Sequence, residues 1–290
     1  MRLAAKWRTD WTWRTGSEPT RSSSLRVGGE LVDVLRLGRG RPLVILPGLA
    51  GGWKLVAPLA RRLARHFQVF VPGLRGDRDP RIGLDGGPGV PMDLAEYADD
   101  VHQVIGTLGL ESPAVLGVSF GGAIALEYAV RYPHALSSLI VHGAEAQFRT
   151  TLGSTIARRV LERYPLPTDS PFVNQFFHLL YGKKPEPGPL VDFVTDRIWE
   201  TSQGVMARRL AQLASFDVSD RLWRIEVPTL VLAGERDVIV PASRQKALAD
   251  GIAGAQFEVL PDAGHIGFLT HRTEFFRGIV RHLSHVEAAV

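Results

Sequence analysis

The sequence predicts an α/β fold built on a mostly parallel central sheet with helices on both faces. Short apolar runs alternate with amphipathic helical segments between about residues 31 and 132, and the alternation returns after residue 228. The runs end in loops that contain glycine or proline, as buried parallel strands do. The chain has 290 residues, of which 45% are hydrophobic and 22% charged, which is typical of a globular protein with a sizeable core.

The first two predicted strands are the apolar runs at 43–46 and 69–71, closed by Pro-Gly pairs. Between them Leu55, Leu59 and Leu63 recur every four residues, which predicts one apolar face of a helix.

The next helix has a clear start signal. Asp93 and Glu96 have the spacing of a capping box, and an apolar stripe runs behind them to Leu108. A further apolar run at 114–118 predicts a strand that leads directly into a helix over about 120–132.

The pattern changes between residues 146 and 219, where short strands disappear and prolines separate helix-like pieces. Strands return at 229–232 and 256–260. We therefore expect a core formed by residues 25–145 and 220–290. The segment 146–219 is a helical insertion, either a cap over a ligand site or a second packing layer. Its apolar stripe fits both a substrate lining and packing on the core: Phe172, Phe176, Phe177, Leu179, Leu180 and Tyr181.

The composition excludes several classes of site and of protein. Cysteine is absent, which excludes disulfides, thiolate zinc sites, iron–sulfur clusters and a cysteine nucleophile. No apolar stretch reaches the length of a membrane span or of a signal-peptide core, so we expect a cytoplasmic protein without a membrane span.

Positive charge is concentrated near the N-terminus. Residues 1–44 carry nine Lys and Arg against four Asp and Glu, a surplus larger than the +4 of the whole chain. Residues 1–24 form a basic arm in which Trp7, Trp11 and Trp13 alternate with polar positions. Such interleaving suits a single-stranded nucleic acid or a membrane surface, but an arm docked on the body explains it as well. We expect the docked arm and no nucleic-acid partner.

Residues 117–121, Gly-Val-Ser-Phe-Gly, match the pattern G-x-S-x-G between a predicted strand and a predicted helix. This context places Ser119 on a sharp turn at the carboxyl edge of the sheet, with its hydroxyl projecting into a cleft. The glycines remove β-carbons that would collide across so tight a turn. The N–H of Phe120 lies at the helix start, where it can face developing negative charge.

A serine hydroxyl needs a base that is oriented by an acid. His265 follows the strand at 256–260, and Asp237 follows the strand at 229–232. Both lie at the carboxyl ends of strands, where ligands bind in open α/β sheets. Their order after Ser119 is the order expected of this serine motif.

The residues alone leave rivals for both roles. His142 follows the predicted strand at 139–141 and is an alternative base, while Glu235 and, more remotely, Glu145 are alternative acids. The remaining histidines lie in helix-like or peripheral contexts.

The chain resembles the α/β-hydrolase superfamily from about residue 25 to residue 283. Five segments carry the resemblance: Leu46-Pro47-Gly48-Leu49, Leu74-Arg75-Gly76, the serine motif with Gly122, Gly234-Glu235-Arg236-Asp237 followed by Pro241, and Ala263-Gly264-His265. The resemblance implies that Ser119 is the nucleophile, Asp237 the acid and His265 the base. It also implies an oxyanion hole formed by the N–H groups of Leu49 and Phe120, and a helical cap at 146–219.

Two positions depart from the family pattern. Pro47 stands where many members have histidine, and Gly73 where many have aspartate two residues before the Arg-Gly pair. Neither departure removes a catalytic group, and Ser119 disfavours the members that use an aspartate nucleophile.

The expected activity is hydrolysis of a small or medium apolar carboxylic ester through an acyl-enzyme on Ser119, with no metal or organic cofactor. The same triad serves lactone, thioester and carbon–carbon bond hydrolysis and acyl transfer. A ligand receptor with slow or single-turnover chemistry is a further alternative. The expected partner is a small-molecule substrate, and nothing in the sequence specifies an oligomeric state.

Overall fold

The computed structural model describes residues 21–77, 90–91, 93–148, 152–164, 166, 174 and 177–288. Its centre is an eight-stranded sheet in the order β1-β2-β4-β3-β5-β6-β7-β8. The strands are β1 (Arg21–Val27), β2 (Glu30–Leu37), β3 (Pro42–Leu46), β4 (Gln68–Pro72), β5 (Ala114–Val118), β6 (Ser138–His142), β7 (Thr229–Gly234) and β8 (Gln256–Leu260). β2 pairs antiparallel with β1 and β4, and all other pairs are parallel.

Nine α-helices have both ends in the described part of the chain. They are α1 (Gly52–Leu63), α2 (Leu94–Thr107), α3 (Phe120–Arg131), α4 (Leu152–Arg163), α5 (Pro189–Ile198), α6 (Gln203–Ala214), α7 (Ala242–Asp250), α8 (Gly267–Thr270) and α9 (Arg272–Ala288). Short 3₁₀ turns occur at Leu179–Tyr181 and Ser219–Arg224.

The sheet is covered on both faces. Every residue of β5, β6 and β7 is buried, as expected of strands that carry helices above and below. One apolar cluster joins the sheet to α2, α3 and α7, and the other joins it to α1 and α9. The predicted α/β-hydrolase fold, a mostly parallel sheet between two helical layers, is therefore confirmed.

Local sequence signals explain the helices that flank the site. Leu55, Leu59 and Leu63 are all buried along one face of α1. The Asp93 carboxylate accepts the Glu96 N–H at 2.9 Å and starts α2 at the predicted residue.

The predicted insertion, residues 146–219, lies between β6 and β7 and contains α4, α5, α6 and the 3₁₀ turn at 179–181. We refer to these residues as the insertion. Tyr181 of the predicted stripe is buried, and Phe177 and Leu180 pack partly buried against the second cluster. Phe172 and Phe176 lie outside the described residues.

The start of the sheet corrects the predicted arm of residues 1–24. β1 begins at Arg21, so residues 21–24 pair with β2 and belong to the sheet. Trp7, Trp11 and Trp13 lie outside the described residues.

Candidate active site

Ser119 occupies the turn between β5 and α3 with a φ of 54° and a ψ of −117°. A serine with positive φ is strained, and such strain persists only where its surroundings fix it. The Ser119 N–H donates to the His142 carbonyl at 2.7 Å, and the Ser119 carbonyl accepts the Gly122 N–H at 2.7 Å. A β-carbon on Gly121 would lie 2.2 Å from the Leu46 carbonyl oxygen. Glycine at 121 therefore lets α3 start directly against β3.

Ser119, His265 and Asp237 form one continuous hydrogen-bonded chain. His265 Nε2 lies 2.8 Å from Ser119 Oγ, and His265 Nδ1 lies 2.8 Å from Asp237 Oδ2. Asp237 and His265 are 4% and 5% exposed, whereas Ser119 is partly exposed. Because the carboxylate accepts only, Nδ1 carries a proton toward Asp237, and Nε2 of the neutral ring is left to accept the Ser119 hydroxyl proton.

The surroundings of Asp237 keep it ionised. Its Oδ1 accepts the N–H groups of Ile239 and Val240, both at 2.9 Å. Burial alone would raise the pKa of Asp237, but His265 and these N–H donors outweigh it, so the pKa lies below its usual value.

Gln245, which was not among the predicted site residues, also contacts Asp237. The Gln245 amide donates to Asp237 Oδ2 at 3.3 Å and to the Val240 carbonyl at 2.8 Å. Its oxygen accepts the Gly143 N–H at 2.9 Å, so Gln245 ties Asp237 to the end of β6. Gln245 lies in α7 without any motif around it, and no local sequence signal marks it.

His142, the alternative base, is fully buried behind the site. Its Nδ1 lies 2.7 Å from the Leu232 carbonyl, and its Nε2 lies 2.9 Å from the backbone carbonyl of His265. Burial lowers the pKa of His142 and favours the neutral ring, which has a single N–H for these two carbonyls. The His142 ring thus faces the backbone of the His265 loop.

The alternative acids also have other partners. The Glu235 carboxylate accepts the Asp262 N–H at 2.8 Å, and Glu145 forms an ion pair with Arg244 at 3.2 Å. Of the three candidate acids, Asp237 is the one that the structure brings to His265.

Leu49 lies in the loop between β3 and α1, which passes beside the serine turn. A β-carbon on Gly48 would lie 3.7 Å from Ser119 Cβ. Phe120 is buried as the first residue of α3. Phe120 is thus adjacent to Ser119 in the chain, and Leu49 follows a glycine that lies beside Ser119.

The insertion contacts the loops on both sides of Ser119. The Ile266 N–H, next to His265, donates to the Leu180 carbonyl at 3.1 Å. The Gly51 N–H, in the loop of Leu49, donates to Thr201 Oγ1 at 3.0 Å.

Among the residues that the structure describes, no group of three or more His, Cys, Asp or Glu side chains is arranged to hold a metal ion. None of the helices in the described part of the chain is long and apolar enough to cross a membrane.

A mostly parallel sheet with a strained serine between strand and helix, and a histidine and an aspartate on neighbouring loops, defines a hydrolase of the α/β class. Residues 41–272 match the family model described as alpha/beta hydrolase fold. The chain belongs to the α/β-hydrolase family.

Relatives and solved structures agree with this assignment. The AB hydrolase superfamily protein YisY of Bacillus subtilis is 30% identical over 244 residues, which cover 80% of this chain and 87% of that protein. A pyrrolizixenacetamide deacetylase of Xenorhabdus hominickii is 28% identical over 267 residues, covering 87% and 94%. Among solved structures, an esterase from Exiguobacterium antarcticum has 25% identity and a TM-score of 0.78, covering 92% of this chain and all of that one. These similarities support hydrolytic activity.

Proposed function

We propose that this hydrolase cleaves a small or medium apolar carboxylic ester through an acyl-enzyme on Ser119. The observation that carries the proposal is the hydrogen-bonded chain from Ser119 through His265 to Asp237. It has the order and the roles of a serine–histidine–aspartate triad.

In this mechanism Ser119 Oγ attacks the ester carbonyl while His265 Nε2 takes the hydroxyl proton. The N–H groups of Leu49 and Phe120 stabilise the oxyanion, and one such donor is typically worth about 10²–10³ in rate. His265 then protonates the departing alcohol. Asp237 holds the ring tautomer and stabilises the imidazolium without taking up a proton.

Water completes the cycle. His265 removes a proton from a water molecule that attacks the acyl-enzyme carbonyl. The second tetrahedral intermediate then breaks its bond to Ser119 Oγ, which takes the proton back from His265, and the carboxylic acid leaves. No step in this scheme uses a metal or an organic cofactor.

An apolar substrate is supported by the position of the insertion, which we propose is a cap. A β-carbon on Gly264 would lie 2.2 Å from the carbonyl carbon of Tyr181, so the turn at 179–181 lies against the loop of His265. Phe177 and Trp199 of the insertion pack edge to face, with ring centroids 5.6 Å apart. An insertion that carries apolar side chains and contacts the loop of His265 suits an apolar acyl or alcohol group better than a charged one.

The decisive experiment combines labelling with turnover. Wild-type protein and the Ser119→Ala variant are treated with a fluorophosphonate, and intact mass and peptide mapping locate the adduct. Hydrolysis of p-nitrophenyl acetate and butyrate is measured in parallel. We expect one adduct on Ser119 and a loss of turnover of about 10⁴-fold or more in the variant. Asp237→Asn should lower turnover by about 10⁴-fold while the fold is retained, because the wrong ring tautomer is then favoured.

A panel of esters, a thioester, a lactone and an N-aryl acetamide then compares substrate classes that the same triad serves. A lactone or thioester turned over faster than the esters would replace the ester proposal within the same mechanism. An adduct without steady turnover would favour an acyltransferase or a receptor with single-turnover chemistry. The absence of any adduct would contradict the proposed nucleophile.

A further inference from the structure

Arg209 of α6 is a fully buried guanidinium for which the mechanism above has no role. Buried charges are rare, because desolvating them is costly unless they are paired and fully hydrogen-bonded. The insertion nevertheless directs this side chain into the core, toward the loop that carries Leu49.

Every nitrogen of the Arg209 guanidinium has a partner. Nη2 donates to Asp77 Oδ1 at 2.9 Å and to the Arg75 carbonyl at 3.1 Å, and Nε donates to the Tyr97 hydroxyl at 3.2 Å. Nη1 donates to the Leu49 carbonyl at 2.8 Å. Burial alone would lower the pKa of Arg209, but the Asp77 carboxylate and its hydrogen bond raise it, so the guanidinium stays charged.

The contact with Leu49 connects Arg209 to the proposed oxyanion hole. Leu49 and Phe120 are the two residues whose N–H groups are the proposed oxyanion donors. The Arg209 guanidinium bonds the carbonyl of Leu49 and lies 5.6 Å from the centre of the Phe120 ring. One side chain of the insertion therefore touches both residues of the proposed hole.

We propose that Arg209 is a positioning residue that fixes the Leu49 loop against the serine turn and thereby makes catalysis depend on docking of the insertion. In one respect this rests on the proposed function, namely that Leu49 donates to the oxyanion. Arg209 touches no reacting atom and acts through the backbone of Leu49. Its planar fork serves Leu49, Asp77 and Arg75 together, which the single ammonium of lysine cannot do with the same geometry.

The expected effect follows from the loss of alignment. A misplacement of about 1 Å at a catalytic group can cost about 10²-fold in rate. Arg209→Met should lower kcat by about 10- to 100-fold with KM changed much less, since the oxyanion forms only in the transition state. Arg209→Lys keeps the charge opposite Asp77 and should recover part of this loss.

The test compares wild type, Arg209→Met, Arg209→Lys and the control Arg221→Met. Arg221 forms two hydrogen bonds to Glu127, at 3.1 and 3.0 Å, so the control removes an arginine–carboxylate pair outside the site. Turnover of p-nitrophenyl butyrate is expressed per site titrated with fluorophosphonate. Inhibition by phenylboronic acid, whose adduct places an oxygen in the hole, and amide hydrogen exchange of residues 47–55 are measured on the same samples.

We expect faster exchange of residues 47–55, weaker boronate inhibition and lower kcat in Arg209→Met, with a pH profile of kcat/KM like that of wild type. Unchanged exchange in this segment would overturn the proposal whether or not the protein hydrolyses esters. Faster exchange with unchanged kcat per titrated site would assign Arg209 a structural role only and equally overturn it.

Failure of the proposed function would give a different result from failure of the Arg209 proposal. Wild-type protein that forms no adduct and has no turnover would refute that function, while hydrogen exchange still decides whether Arg209 positions the loop. If Arg209→Met does not fold, Arg209→Lys carries the same comparison.

Discussion

Replacing Gln245 with leucine should destabilise the protein strongly and weaken its catalysis. Gln245 is fully buried in α7 and makes three hydrogen bonds, to Asp237, to the Val240 carbonyl and from the Gly143 N–H. Leucine has a similar volume, so the substitution leaves little cavity and removes the hydrogen bonds. The Gly143 N–H and the Val240 carbonyl would then be buried without their partner.

The magnitude follows from these unpaired groups. A buried backbone donor or acceptor that loses its partner costs about 1–3 kcal/mol, so the two groups together cost about 2–6 kcal/mol. This is a large part of a typical unfolding free energy of about 5–15 kcal/mol. Asp237 keeps its bonds to His265, Ile239 and Val240, and the weakest of its contacts, at 3.3 Å, is the one removed. We therefore expect turnover of the folded variant to fall about tenfold, which corresponds to about 1.4 kcal/mol.

Urea unfolding gives the stability change, and p-nitrophenyl butyrate hydrolysis below the transition gives the turnover. Gln212→Leu is the matched control, because Gln212 is also buried, although its exposed fraction is 5% against 0% for Gln245, and its amide donates to the Pro91 carbonyl, away from the proposed triad. The control should lose about 1–3 kcal/mol and keep its turnover. A Gln245→Leu variant that unfolds at the same urea concentration as wild type would refute the expected cost of leaving the Gly143 N–H and the Val240 carbonyl unpaired.

Two further predictions concern stability. Gly121→Ala would place a β-carbon 2.2 Å from a backbone carbonyl of β3 and should lower the unfolding free energy by about 1–3 kcal/mol or more. Gly106→Ala, whose β-carbon would have nothing within 4 Å, should raise the unfolding free energy by about 0.5–1 kcal/mol. Urea unfolding of both variants checks these two opposite effects. The unfolding free energy should also decrease from pH 7 to pH 5, because burial lowers the pKa of His142 and His282, and these rings take up protons mainly on unfolding. Burial raises the pKa of Asp100 to about 6, which acts in the opposite direction, since this carboxyl binds its proton more tightly in the folded protein. Burial also lowers the pKa of His271, so three rings act against one carboxyl and the unfolding free energy decreases on balance. Equal urea midpoints at pH 5, 6 and 7 would contradict this balance.

The parts of the fold that the sequence predicts are those with local causes. The four-residue period of Leu55, Leu59 and Leu63 marks the buried face of α1, and Asp93 caps α2 because the bond to the Glu96 N–H is formed within one turn. The arm boundary is different. Residues 21–24 are held in β1 by pairing with β2. Their sequence, Arg-Ser-Ser-Ser, has no apolar period that would predict a strand.

The candidate site likewise contains residues that a local sequence signal predicts and residues that it does not. Ser119, Asp237 and His265 each follow an apolar strand, so the parallel topology places them at one edge of the sheet before any contact is known. Gln245 and Arg209 lie inside helices without motifs, and their roles come from contacts with residues distant in sequence. Arg209 bonds Leu49 across 160 positions, and nothing local distinguishes it from the neighbouring Arg208.

The same contacts bear on how one triad can serve different substrates. A serine–histidine–aspartate triad, as proposed for Ser119, His265 and Asp237, serves esters, lactones and thioesters alike, so selection must come from the surfaces around it. In this protein the insertion bonds both loops beside Ser119, through Leu180 to the loop of His265 and through Thr201 and Arg209 to the loop of Leu49. A change in the insertion that disturbs these bonds is therefore expected to shift the loop of His265 or the loop of Leu49 as well. Substitutions of Thr201 and Arg209, the side chains that bond the loop of Leu49, should consequently alter kcat together with specificity.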